Sequence, residues 1–293
     1  MSYATAVAEA WTIRSVVAFC ADDLSRRGIE SARLDAQLLV AHALGIDRVR
    51  LFMDLDRPLT PDERARIREL LQRRRAREPI AYLLGRREFH GRSFAVGPAV
   101  LVPRPDTETL VERALVLLPA DAEGPVLDLC TGSGCIAITL AAERPSLTVH
   151  ATDLSPEALE VAARNAAALG VQGRVVLRPG DLFGAVPPDT RYRLVTANPP
   201  YVAERDRATL APDVVDHEPH LALFAGQDGL DRVRQIAADA PAYLEPGGTI
   251  LVEIGAEQGQ AAAGLFAAAG LEVARPLRDL GGRDRVIEAR KPG

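Results

Sequence analysis

The chain predicts an α/β protein: a mostly parallel sheet covered by helices, with an antiparallel C-terminal edge, behind a small helical bundle and a β-hairpin linker. Three observations lead there. Apolar residues up to about position 85 recur at helical spacing. Phe89, Phe94, Val96, Val100 and Val102 instead alternate with polar or small residues. From Pro125 onward, short apolar strands alternate with helical stretches, the pattern of βαβ units that build a parallel sheet. The expected domains are a helical segment at 1–85, a linker at 86–105 and an α/β domain at 106–293.

In chain order, helices are expected over Ala4 to Arg26 and Ala32 to Leu44, the second closed by Gly45, which suits the left-handed cap position. Thr60-Pro61-Asp62-Glu63 reads as a helix start: Thr60 as N-cap, Pro61 in the first turn, Glu63 completing a capping box. That helix should run to about Arg75. His90-Gly91 and Gly97-Pro98 mark turns, so Arg87 to Pro103 reads as a β-hairpin. Asp106 is placed to cap a helix ending near Leu118. Strands follow at Val126–Leu129, Leu147–Thr152, Val175–Leu177, Leu194–Ala197 and Thr249–Ile254. The helices between them are expected at Cys135–Glu143, Ser155–Ala168 and Asp231–Leu244. Leu271–Ala274 and Arg285–Ala289 are expected to pair antiparallel at the sheet edge.

Composition narrows the function classes. Hydrophobic residues make up 47% and charged residues 26%, ordinary for a globular protein able to bury a sizeable core. No apolar run is long enough to span a bilayer, and Met1 to Trp11 carries Glu9 and lacks a basic stretch, so neither a membrane anchor nor a signal peptide is expected. Cys20, Cys130 and Cys135 form no disulfide framework, which suggests a reducing cytoplasm. The net charge of −5 argues against a protein living on phosphate contacts, and no specific nucleic-acid partner is expected. Arg73-Arg74-Arg75-Ala76-Arg77 reads as a solvated helix end. No metal is expected: Cys130 and Cys135 lack Cys-x-x-Cys spacing, and Pro219 breaks any helix through His217-Glu218-Pro219-His220. A monomer is expected.

Three motifs bear on chemistry. Asp128-Leu129-Cys130-Thr131-Gly132-Ser133-Gly134 joins a strand to a helix, where small residues let a ligand approach the backbone and the helix start offers free N–H groups. A plain tight βα turn would look the same. The next strand ends in Thr152-Asp153, where an acid can bind both hydroxyls of a ribose or, alternatively, cap the helix at Ser155. Together these suggest a Rossmann-like domain holding a nucleoside-bearing cofactor. They do not separate nicotinamide dinucleotides from S-adenosylmethionine, since Ala137 replaces the third glycine of Gly-x-Gly-x-x-Gly. Gly180-Asp181-Leu182-Phe183 could receive an adenine, with Asp181 accepting from its amino group and Leu182 or Phe183 packing on the ring. An Asx turn is the other reading.

Asn198-Pro199-Pro200-Tyr201 decides between the cofactors. It follows the apolar strand directly, and its two prolines hold the loop stiffly where open α/β sheets bind ligands. A planar –NH2 group is a poor nucleophile because its lone pair is delocalised. The Asn198 side-chain oxygen and the Pro199 carbonyl can hold its two hydrogens while Tyr201 stacks on the plane, so that catalysis is mainly orientation of the nitrogen toward an incoming methyl group. S-adenosylmethionine is the cofactor this chemistry asks for. A proline-rich turn with Tyr201 as packing is the alternative.

These residues resemble a known family. Glu78 to Gly85, Phe89 and Phe94, Leu101 to Glu108, the Gly-rich turn, Asn198 to Tyr201, and Asp279-Leu280-Gly281-Gly282 to Arg285-Val286 together resemble the bacterial release-factor glutamine methyltransferases, the PrmC/HemK family. The resemblance spans nearly the whole chain. It implies a class I methyltransferase domain that transfers methyl from S-adenosylmethionine to the amide nitrogen of the glutamine in the Gly-Gly-Gln motif of class I peptide chain release factors. By the same resemblance Cys130, Thr131, Gly132, Ser133, Gly134, Asp153, Leu182 and Asn198 contact the cofactor, beside Asp181 from the reading above, Asn198 to Tyr201 hold the glutamine, and the helical domain helps dock the release factor. One departure stands out. Cys130 replaces the family's usual glycine, and the turn around it looks more like the sibling family that methylates a large-subunit ribosomal protein. That protein, adenine N6 in nucleic acid, or a non-catalytic binding role are the alternatives.

Overall fold

The computed structural model describes residues 11–293. They divide into two compact units. One runs up to Gly85 and takes in Pro212–His217; the other comprises Arg86–Ala211 and Glu218–Gly293.

The first unit contains helices α1 (Ile13–Arg26), α2 (Ala32–Leu44), α3 (Arg48–Met53), α4 (Pro61–Arg75) and α5 (Ile80–Leu84). Residues 4–10, expected as the start of the first helix, lie outside the described residues. Within them α1 starts at Ile13, because Thr12 and Ser15 form a reciprocal capping box. Gly45 closes α2 at φ +67°, and Thr60, Pro61 and Glu63 start α4 as their sequence predicts. Ile13, Leu24, Leu39 and Leu51 are fully buried at the centre. The basic run is a solvated helix end only in part: Arg73 is exposed, but Arg74 is buried. Arg73 pairs with Glu78, Arg75 with Asp23, and Arg74, 3% exposed, bridges Asp35 at 2.7 Å and Asp213 at 2.6 Å. A guanidinium offers five donors, so one buried arginine can satisfy two carboxylates from distant parts of the chain.

The second unit opens with the hairpin β1 (Arg86–Phe89) and β2 (Arg92–Ala95), turning at His90-Gly91. The hairpin is shorter than predicted: residues 97–104 run on without strand structure, although Val100 and Val102 are buried. A 3-10 turn at Pro105–Thr107 leads into α6 (Glu108–Leu117), so Asp106 lies inside that turn and does not cap the helix.

The remaining elements are β3 (Gly124–Leu129), α7 (Cys135–Glu143), β4 (Leu147–Asp153), α8 (Pro156–Ala168), β5 (Val175–Pro179), β6 (Tyr192–Ala197) and the short α9 (Pro212–Val215), which packs with the first unit. Then come α10 (Asp231–Tyr243), β7 (Leu244–Glu253), α11 (Gly259–Ala268), β8 (Glu272–Val273), β9 (Leu277–Arg278) and β10 (Asp284–Arg290). Helix α11 has no counterpart among the expected elements: its sequence is mostly alanine and glycine, which leaves little apolar periodicity to read.

Strand order is β5-β4-β3-β6-β7-β10-β8, with β9 also on β10. β3 to β7 run parallel, while β10 is antiparallel to β7, β8 and β9. The predicted C-terminal antiparallel pair is present, but β10 lies between β7 and β8 and is not itself the edge. Alternate residues face opposite layers: Val126 packs with α6, α7 and α8, and Leu127 with α10 and α11. Chain progression reverses between β3 and β6, and the crevice at the carboxyl ends of those two strands is where such sheets bind ligands.

Candidate active site

The turn after β3 is built around Asp128. This carboxylate is fully buried and accepts the hydroxyls of Thr131 and Thr196, each at 2.7 Å, which ties the turn to the end of β6. Burial pushes Asp128 up to about 7, against the two hydroxyls that favour its charged form. Cys130 adopts φ +57°, a left-handed conformation that suits glycine and that a side-chain-bearing residue takes only under constraint. Its thiol is pushed well above the usual range by burial and by Asp153 nearby, so it is no nucleophile. Gly134 starts α7 at φ +81°, and a Cβ there would stand 2.7 Å from Ile138 Cδ1 and 3.2 Å from Ala162 Cβ.

A pocket opens beside this turn. Cys130, Thr131, Gly132 and Ser133 form one wall; Gly134 does not border the pocket, and it packs closely against α7 and α8. Asp153, at the end of β4, accepts from Gly132 N at 2.8 Å and Ser155 N at 2.9 Å, and its carboxylate borders the pocket. Ser155 itself caps α8, so capping does not account for Asp153. Burial raises the Asp153 pKa while the backbone donors oppose the rise.

The far side of the pocket is formed by Gly180, Asp181 and Leu182. Leu182 is held at φ +46°. Phe183 does not border the pocket but stacks on Tyr243, centroids 4.7 Å apart, so of the two apolar candidates it is Leu182 that borders the pocket. Both Asp181 oxygens lie 3.1 Å from Arg232 Nη1, and Arg232 also borders the pocket.

Asn198 and Pro200 complete the wall next to β6; Pro199 and Tyr201 are not part of it. Asn198 donates from Nδ2 to Thr107 Oγ1 at 3.3 Å. Tyr201 donates its hydroxyl to Glu253 Oε1 at 3.2 Å and accepts at its carbonyl from Gln258 Nε2 at 2.9 Å. The ring expected to stack on a substrate is thus anchored through its hydroxyl. The loop from Val102 to Arg104 is clamped by Glu218, 4% exposed, which accepts from Val102 N at 3.2 Å and pairs with Arg104 at 2.5 Å. Glu218 therefore braces the pocket rim. Among the described residues no group of three or more His, Cys, Asp or Glu side chains is placed to hold a metal ion.

Comparison with known proteins fits this geometry. A model of the PrmC N-terminal domain matches residues 15–85, and one of the methyltransferase small domain matches residues 107–221. A release factor glutamine methyltransferase from Cereibacter sphaeroides is 53% identical over 92% of this chain and 95% of its own length. The chain belongs to the release factor glutamine methyltransferase family. A second family member, from Geobacter sulfurreducens, is 44% identical over 96% of this chain and 98% of its own. Among solved structures, a methyltransferase from Pyrococcus furiosus superposes with a TM-score of 0.50 at 18% identity, covering 70% of this chain and 91% of that one. A 16S rRNA N2 G1207 methyltransferase from T. thermophilus superposes at 0.51 and 17% identity, covering 70% and 49%. At these identities the likeness concerns the fold, here that of a class I methyltransferase.

Around the pocket, sequence reasoning missed Thr107 as a partner of Asn198, Arg232 as a partner of Asp181 and Glu253 as a partner of Tyr201. Glu253 carried a readable signal: an acid closing the apolar run Ile250-Leu251-Val252, where an uncompensated charge would be costly.

Proposed function

We propose that this chain transfers a methyl group from S-adenosylmethionine to the side-chain amide nitrogen of the glutamine in the Gly-Gly-Gln motif of class I peptide chain release factors. The observation that carries the reading is Asn198, held by Thr107 through Nδ2 at the carboxyl end of β6, beside a pocket that also contains the Asp153 carboxylate.

The pocket fits the cofactor. A ribose presents two hydroxyl donors, and Asp153 offers an acceptor at the pocket wall, its orientation set by two backbone N–H groups. Gly132 has no heavy atom within 4 Å of where a Cβ would stand, leaving room for a ligand against the backbone. Leu182 presents an apolar surface suited to a base, with Asp181 and Arg232 as polar partners. When bound, S-adenosylmethionine supplies an electrophilic methyl on sulfonium sulfur; an N–CH3 bond forms as the S–CH3 bond breaks, and the nitrogen gives up a proton.

The chain's own contribution is orientation. With Nδ2 committed to Thr107, Asn198 Oδ1 is the atom left to accept a substrate N–H, and the Pro199 carbonyl takes the other. Both acceptors sit on a loop whose prolines fix it, so little entropy remains to be lost when the substrate docks. In this reading residues 1–85 help recognise the release factor, 86–105 link, and 106–293 hold the cofactor and carry out the transfer, in a cytoplasmic monomer.

The test is methyl transfer from radiolabelled S-adenosylmethionine, offered in parallel to a release factor, its Gly-Gly-Ala variant, a large-subunit ribosomal protein and duplex DNA. Label on the intact release factor alone is expected. Label on the ribosomal protein or DNA, with none on the release factor, overturns the reading.

A further inference from the structure

We propose that Arg104 receives the carboxylate at the amino-acid end of S-adenosylmethionine, and that Glu218 holds the guanidinium in place for it. The inference rests on the course of the cofactor along the pocket proposed above.

The layout of the pocket follows the strand order. Asp181 and Leu182 come after β5, Asp153 ends β4, the turn from Cys130 to Ser133 follows β3, and Asn198 follows β6; these strands are neighbours in that order. A cofactor with its base at Leu182 and its ribose at Asp153 carries its sulfonium toward Asn198. The amino-acid arm leaves the same sulfur, so its carboxylate belongs at the β6 end, away from Asp181. Among the described residues four charged side chains border the pocket: Arg104, Asp153, Asp181 and Arg232. Arg232 is engaged by both oxygens of Asp181 at the base end, and Asp153 serves the ribose. Arg104 is the cation at the other end. Its carbonyl accepts from Thr107 N at 3.2 Å, and Thr107 in turn receives Nδ2 of Asn198, which ties Arg104 to the reacting loop.

The guanidinium is held ready. Glu218 does not border the pocket, and its side chain is 1% exposed against 34% for that of Arg104. Its Oε2 accepts from Val102 N at 3.2 Å, and its Oε1 takes Nη2 of Arg104 at 2.5 Å. The carboxylate is thus fixed by backbone on one side and fixes the arginine on the other. A guanidinium presents five donors in a planar fork, so a second carboxylate can join the first, as Asp35 and Asp213 do on Arg74. The pairing with Glu218 also offsets the positive charge that Arg104 would otherwise bring near a sulfonium and an ammonium.

The experiment measures Kd by calorimetry on the full chain for two ligands. One is S-adenosylhomocysteine; the other is its decarboxylated analogue, which keeps the base, ribose, sulfur and amine. Wild type, Arg104→Lys, Arg104→Gln and the Arg104→Gln/Glu218→Gln pair are compared, and KM for a release factor is read alongside. Wild type should bind the decarboxylated analogue roughly 10- to 100-fold more weakly, the loss of a charge-assisted hydrogen bond. Arg104→Gln should bind S-adenosylhomocysteine more weakly by a similar factor but the analogue within about threefold of wild type, so that the two ligands become nearly equal. Arg104→Lys, a point charge without the fork, should fall between. Equal binding of both ligands by wild type overturns the inference. So does equal weakening of both by Arg104→Gln, which would mean that Arg104 only braces the rim. An unchanged Kd with a raised release-factor KM also overturns it and assigns Arg104 to the protein substrate. Should Arg104→Gln fail to fold because it strands the buried Glu218 charge, the pair removes that charge and is judged by the same criteria. A wild type that binds neither ligand overturns the reading beneath. Tight S-adenosylhomocysteine binding that depends neither on Arg104 nor on the ligand's carboxylate removes this inference alone.

Discussion

Asn198 Nδ2 lies 3.3 Å from Thr107 Oγ1, joining residues 91 positions apart in sequence. The contact commits the donor end of an amide whose acceptor end the chemistry needs. It also explains why the segment from Pro103 to Glu108 belongs to the site. Its 3-10 turn carries Thr107 to the carboxyl end of β6, and the preceding residues are held there by Glu218.

Replacing Asn198 with alanine should therefore reduce turnover while leaving the cofactor in place. By comparison with the loss of one fixed polar group at a reacting centre, kcat should fall roughly 10²- to 10³-fold. Single-turnover methylation measures the fall, and calorimetry with S-adenosylhomocysteine checks binding. A variant methylating at the wild-type rate would remove Asn198 from the mechanism.

Asp153→Ala should act on the opposite property. Losing a charge-assisted hydrogen bond to a ribose hydroxyl should weaken cofactor binding by about 1–3 kcal/mol. Asp153 also accepts from Gly132 N and Ser155 N, so Asp153→Asn, which keeps an acceptor at the same position, should lose less than alanine. Equal affinities for all three proteins would mean the carboxylate shapes the turn and does not bind the ligand.

Gly134 separates packing from binding. Alanine there would meet Ile138 Cδ1 at 2.7 Å and require a left-handed backbone at φ +81°, a combined cost of about 2–4 kcal/mol. Since Gly134 does not border the pocket, the folded fraction should bind cofactor normally. Thermal melting with and without ligand distinguishes the two: a large loss of affinity with an unchanged Tm would reverse the assignment.

These cases show what the sequence made legible. The helix starts at Thr60 and Ser155, the Gly45 cap and the parallel core from β3 to β7 follow from local rules, since caps and apolar runs act over a few residues. The pocket residues Asp153, Leu182 and Asn198 were readable because each ends a strand or sits in the loop after one. Thr107, Arg232 and Glu253 were not, because their partners lie 91, 51 and 52 residues away and depend on the strand order. The fate of Arg74 was hidden for the same reason. Its local context is a basic helix end, while its partners Asp35 and Asp213 come from distant parts of the chain.

Arg74→Ala should be among the most damaging changes in the first unit. It strands Asp35, 1% exposed, without its guanidinium, and breaking one side of a buried pair typically costs about 3–5 kcal/mol. Arg74→Ala/Asp35→Ala should recover part of that loss by removing the orphaned charge. Urea denaturation of both variants measures the difference, and a single variant as stable as wild type would show that water replaces the arginine at no cost.

Glu253 links stability to pH with a definite sign. Burial raises it from the ordinary carboxylate value of 4.5 to about 7, so the folded state holds its proton more tightly than the unfolded chain does. The associated stability is fully present below about 4.5 and is lost as pH rises through 7. The ceiling is on the order of 3 kcal/mol. Asp128, also raised to about 7, adds a loss of the same sign. Asp153, raised by burial as well, contributes with the same sign, and Glu253→Gln removes one of these titrations. Its Tm should therefore gain on wild type between pH 5 and 8, with the Asp128 and Asp153 shares of the slope remaining. A Tm difference independent of pH would show instead that Arg285 and the Tyr201 hydroxyl keep Glu253 charged throughout.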